Sequence, residues 1–182
     1  MEAFQIWLVK TLVTVGRVTP VWSFMNSTWG WPTVETIHFF GLSLLIGAIG
    51  MFDLRLLGVA KRVPIVALHR LIPWGIAGFS TNVLTGMMFL LTEPDQYIYN
   101  PAFHFKMLFV GMAGLNVLAF YLMVFRYVTP LEAGADAPRA AKLAGGASLA
   151  FWISVIVCGR YLTFYRPGLC EGYHSFLSTC IP

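Results

Sequence analysis

Apolar residues run along this chain in four long blocks, each close to the roughly 20 residues needed to cross the hydrocarbon core of a bilayer, with short polar segments between them. The pattern predicts helix A over 33–59, helix B over 66–91, helix C over 102–127 and helix D over 143–165. Residues 1–32 begin apolar, but Lys10 and Arg17 interrupt before a spanning length is reached, and a charge at mid-bilayer is costly. With Trp7, Trp22, Trp29 and Trp31 supplying amphipathic rings, this segment reads as interfacial, a helix lying on the membrane, and Pro32 then sets the sharp turn into helix A. The fold class is all-α: an integral membrane four-helix bundle over 33–165, preceded by the interfacial segment and followed by a tail over 166–182. No internal repeat, low-complexity tract or second domain interrupts this organisation.

Composition agrees with the pattern. Of 182 residues, 58% are hydrophobic and 11% charged, against roughly 25% charged in soluble domains, so a water-facing surface could not be covered. The N-terminus has no basic stretch ahead of an apolar core and a small-residue cleavage site, which argues against a removed secretory signal. The net charge of +4 does not suggest nucleic acid, because the 12 Lys and Arg residues sit at segment ends without forming a basic run. They report topology instead. Lys61, Arg62 and Arg70 flank the A–B turn, and Arg126, Arg139 and Lys142 flank the C–D loop, which the positive-inside rule places in the cytoplasm of a bacterial inner membrane. The B–C loop, with Glu93 and Asp95, and both termini then face the periplasm. There an oxidising environment favours a Cys170–Cys180 disulfide, with Cys158 left as a buried thiol of helix D. His174 lies between those tail cysteines, but the spacing does not match zinc-ligand patterns.

Ionisable residues inside spans are functional candidates by default. Here they are Glu35, His38, Asp53 and Arg55 on helix A, His69 and Arg70 on helix B, His104 and Lys106 on helix C, and Arg160 on helix D. His38 and His104 fall at similar depth on helices that can be diagonal partners, an arrangement that suits two imidazoles ligating one haem iron. Gly41 and Gly111, on the same helix stripes, would leave room for a flat macrocycle, or would simply let helices pack. Lys106, Arg160, Tyr161 and Arg166 gather at that end as partners for propionates. At the other end His69 and Arg70 meet Asp53 and Arg55, a candidate second haem site; alternatively His69 is an ordinary interfacial histidine and Asp53 pairs with Arg55 or Arg70 to lock the turn. Equally, His38 and His104 could be buried imidazoles that satisfy a backbone carbonyl or Glu35.

Absent motifs narrow the field. No Cys-x-x-Cys-His is present, so any haem would be b-type; no phosphate-binding loop, dinucleotide fingerprint or nucleophile elbow supports nucleotide or serine-hydrolase chemistry. Glu35-x-x-His38 resembles half of a di-iron site without its second copy, while one copper or other metal at Glu35, His38, His104 and Met107 fits the residue types.

The pattern His38-x-x-Gly41, then Asp53-Leu-Arg55-Leu-Leu-Gly58, Lys106 and Asn116, resembles a family of small bacterial four-helix membrane proteins over 34–127. It is also distantly similar to b-type cytochrome and copper-resistance membrane subunits, which use histidines on a helical bundle. The expectation is a membrane b-type cytochrome moving electrons between a periplasmic partner and quinone, with His38 and His104 as axial ligands. The alternatives are a copper- or iron-binding protein using His38, His104 and His69, or a non-catalytic assembly subunit. Small residues in the spans further suggest a homo-oligomer.

Overall fold

A computed structural model describes residues 2–59 and 61–164. Two helices, α1 (Glu2–Val18) and α2 (Pro20–Met25), precede the first span, α3 (Gly30–Leu57). The second span is built from α4 (Ile65–His69) and α5 (Ile72–Thr92); α6 (Pro94–Ile98) leads into the third, α7 (Pro101–Ala119), which continues through a π-helical turn (Phe120–Val124) and α8 (Phe125–Val128). The fourth span is α9 (Arg139–Tyr161). Four helical segments are thus long and apolar enough to cross a membrane, the all-α membrane bundle that the hydrophobic blocks predict. The tail that carries Cys170, His174 and Cys180, with Arg166, lies outside the described residues, as does the expected disulfide.

Local chemistry explains the element boundaries. The first span begins at Gly30 with Pro32 in its first turn, where a missing N–H costs nothing, and ends on Gly58, whose φ of 93° lets Val59 N donate back to Leu54 O. Helix B is not continuous: Pro73 cannot donate to the carbonyl four residues back, and the chain breaks at Arg70–Leu71. Asn100 caps α7 by accepting from Ala102 N at 3.0 Å, ahead of Pro101 at the first helical position. The fourth span starts after Pro138, four residues earlier than the hydrophobic block alone predicts, because the small residues Ala140 and Ala141 extend the helix.

α3 is central, packed against α5 on one side and α9 on the other, while α9 also packs against α7. Glycines set both approaches. A Cβ on Gly78 would lie 2.6 Å from Gly41 O and from Leu45 N, and one on Gly145 would lie 3.0 Å from Asp53 O, so α5 and α9 can come this near to α3 only without side chains there. Gly41, expected to clear space for a macrocycle, is taken up by this contact: a Cβ there would meet Asn82 and Thr81. A core of Phe52, Leu56, Ile65, Leu68, Phe120, Val124 and Val128 closes the end bearing the basic turns. A smaller core of Leu45, Ala113, Trp152 and Val155 lies deeper. At the opposite end α1 packs on α2, α5 and α6, with Gly16 against the Leu91 carbonyl. Only 17% of the most apolar stretch of Pro101–Val128 is buried inside the protein, so its outward leucines and methionines meet lipid.

Gly78→Ala should destabilise the detergent-solubilised protein by on the order of 1–3 kcal/mol, a fall in Tm of about 2–12 °C. Gly47→Ala, where a Cβ meets nothing within 4 Å, should leave Tm unchanged or raise it. Thermal melts of both variants check this.

Candidate functional site

The polar side chains of the spans fall into three places at different depths along α3. The first is His38. Its Nδ1 lies 2.7 Å from Thr85 Oγ1 on α5, and Phe89 meets its ring edge-on with centroids 5.6 Å apart. Thr85 is buried, and its single hydroxyl proton goes to Thr81 O at 2.7 Å. With its proton on Thr81 O the oxygen accepts from Nδ1–H, the arrangement that leaves the His38 lone pair on Nε2. Nε2 keeps its lone pair and has no hydrogen-bond partner among the described residues. Lys106 of α7 is the charge that acts on His38; its own Nζ faces α9, 3.9 Å from where a Cβ on Gly159 would stand, beside Cys158. Among the described residues no carboxylate is within ion-pair distance of that ammonium.

His104 takes a different direction. It is exposed, two residues from the inward-facing Lys106 and hence on the other side of α7, and no hydrogen bond, ring contact or electrostatic interaction joins it to His38 among the described residues. Glu35 is likewise exposed. Gly111 faces open space, and Arg160 turns outward to lie 5.0 Å over the Phe164 ring.

The second place is Asp53. Sequence reasoning paired it with Arg55 or Arg70, but the neighbour of its carboxyl is Ser148 of α9, and Oδ2 is buried without a partner. The reason is helical phase: residues two apart point to opposite sides of α3. Asp53 and Ser148 line a cleft of about 380 Å³ between α5 and α7, floored by α3 and α9. Phe52, Phe79, Phe120, Tyr121 and Trp152 furnish its aromatic walls. Trp152 Nε1 is buried and also without a partner, whereas Asn116 is spent on tying α7 to Ala144 O at 3.0 Å. The π-helical turn widens α7 so that the consecutive residues Phe120 and Tyr121 both reach the cleft.

The third place is the basic end. Arg55 is 0% exposed; its Nε donates to Val63 O at 2.6 Å and Nη2 to Ala135 O at 3.2 Å, so one guanidinium holds the α3–α4 turn and the α8–α9 loop together. Gly134 N donates to Lys61 O at 2.8 Å, and Asp136 bridges Lys142 at 2.6 Å and Lys61 at 3.2 Å. His69 is half-buried against Phe52, Tyr121 and Phe125, with Nε2 3.0 Å from Tyr121 Oη, and Arg70 is exposed. Each residue expected around a second haem has its own surroundings: Arg55 among loop carbonyls, His69 in an aromatic box, Asp53 at the cleft.

Sequence reasoning missed Thr85, Ser148 and Trp152. A stripe of Gly75, Gly78, Asn82 and Thr85 on one face of α5 was the available signal for the first, because small and polar residues together mark a buried helix face in a membrane. No family model, curated protein or solved structure matches the chain.

The Lys142 and Lys61 hydrogen bonds hold the Asp136 carboxyl below the usual carboxylate range. Its tie is therefore complete above the ordinary carboxylate pKa of about 4 and is lost as pH falls through the lower folded value. Hydrogen exchange of the 129–138 loop should stay slow from neutral pH to about 4 and quicken below. Asp136→Asn should show the quickened rate throughout, after correction for intrinsic exchange.

Proposed function

We propose that the protein is a membrane-embedded b-type haem protein that passes electrons between the quinone pool and a partner at the membrane face, with His38 as an axial ligand. The observation that carries this reading is the seat of His38 inside a bilayer span: Nδ1 lies 2.7 Å from a Thr85 oxygen whose proton has Thr81 O to go to, a pairing that suits Nδ1–H and leaves the lone pair on Nε2. A haem supplies a one-electron iron centre with four porphyrin nitrogens of its own, so the protein need offer only one or two more.

The donor set favours porphyrin over a bare ion. Among the described residues no group of three or more His, Cys, Asp or Glu side chains gathers to hold a metal. Lys106, without an anionic partner, provides a cation for a propionate near His38. The basic turns at one end of the bundle support an inner-membrane location with those turns in the cytoplasm. Bare helix positions at Gly47 and Gly86, where a Cβ would touch nothing within 4 Å, support self-association in the bilayer.

Protein expressed with haem precursor should show a Soret band and a sharp reduced α band, with a pyridine haemochrome count of haem per chain. His38→Ala should abolish both bands, and Thr85→Val should weaken haem retention about 10–100-fold, because the ring loses the acceptor that orients it. His104→Ala should keep the Soret band. A wild-type spectrum without one contradicts the proposal.

A further inference from the structure

The cleft between α5 and α7 has no part in holding His38, yet it has the features of a ligand site. We propose that it binds the headgroup of a membrane quinol, with Asp53 and Trp152 as the polar contacts. Its volume of about 380 Å³ accommodates one substituted six-membered ring, and ligand pockets begin at roughly 300 Å³. Both polar groups are more than nine-tenths buried, and each leaves one atom without a partner, Asp53 Oδ2 and Trp152 Nε1. In a medium without water such orphans are costly, and they define what must come to meet them. An indole N–H only donates and a carboxyl oxygen can accept, so a ligand that presents an acceptor to Trp152 and a donor to Asp53 meets both. The ring oxygens of a quinol do both, and a quinone carbonyl still satisfies Trp152.

The walls select for an aromatic ring. Phe52, Phe79, Phe120 and Tyr121 offer faces and edges for a flat ring, as does Trp152 itself. The mouth suits a long apolar tail: α5 and α7 barely touch, and Ile76 and Val117, which line the opening, are exposed at 60% and 39% towards the acyl chains. An isoprenoid chain can leave through this gap without crossing the protein. The assignment deepens the electron-carrier reading above and names its partner site, but its own support is the cleft alone.

The test is equilibrium binding of decylubiquinol and decylubiquinone to the detergent-purified full chain, read by native mass spectrometry. Both should bind at one saturable site per chain. Gly114 lines the cleft, and a Cβ there would meet nothing within 4 Å, so Gly114→Leu fills the space without straining the fold. It should weaken binding by at least about tenfold, whereas Gly111→Leu, equally open but outside the cleft, should leave it unchanged. Trp152→Phe keeps the ring and removes the donor, and should cost about 5–20-fold. His38→Ala should retain full quinol binding even if haem is lost, which separates failure of this site from failure of the haem reading. Unchanged binding in both Gly114→Leu and Trp152→Phe overturns the site, as does loss of binding in His38→Ala. Equal displacement by dodecanol overturns the quinol assignment.

Discussion

Within a bilayer core each polar side chain must find its partner in the protein, so the distance between helices decides what chemistry a span can carry. Here the close approach of α5 to α3 at Gly78 sets that distance. From this contact the antiparallel helices keep register: Gly78 lies against Leu45, Thr81 and Asn82 against Gly41, and Thr85 against His38. Were α5 held off by even a methyl group, the Thr85 hydroxyl would not reach the imidazole, and the tautomer that frees Nε2 would not be fixed. The same closeness leaves α5 displaced from α7, and the cleft is what remains between them.

α3 consequently carries three unlike polar groups on one rigid rod. His38 and Asp53 are 15 residues apart, about 22 Å along the helix axis, with Arg55 at the basic end. Each faces a different neighbour: His38 faces α5, Asp53 faces α9 and the cleft, and Arg55 faces the loops. Two of the three guanidinium nitrogens go to backbone carbonyls, a structural duty that fixes the turn and the loop, and Nη1 is left buried without a partner, as is Asp53 Oδ2 beside the cleft.

The spans themselves were legible because apolar length is a strong signal, and the four blocks matched the four spanning segments. Their finer form was less so. The break at Arg70–Leu71 was written in Pro73, yet a continuous apolar run masked it; the π-helical turn at Phe120–Val124 leaves no mark in composition at all. Residue type drew attention to His38 and Asp53, but type cannot say which way a side chain points. Asp53 and Arg55 read as an ion pair on proximity in sequence, and helical phase sends them apart. Gly41 read either as clearance for a cofactor or as clearance for a neighbouring helix, and the structure has it against α5. Trp152 drew no attention in the sequence, because only tertiary packing places it, buried, beside Asp53 in the cleft.

The protonation pattern of His38 is the point from which the functional account follows. Nitrogen-15 NMR of histidine-labelled protein in bilayers, prepared without haem, reads it directly. The account predicts one neutral ring with Nδ1 protonated and Nε2 bare, whose signals vanish in His38→Ala. A His38 ring protonated at Nε2, with the Thr85 hydroxyl donating to Nδ1, would contradict it.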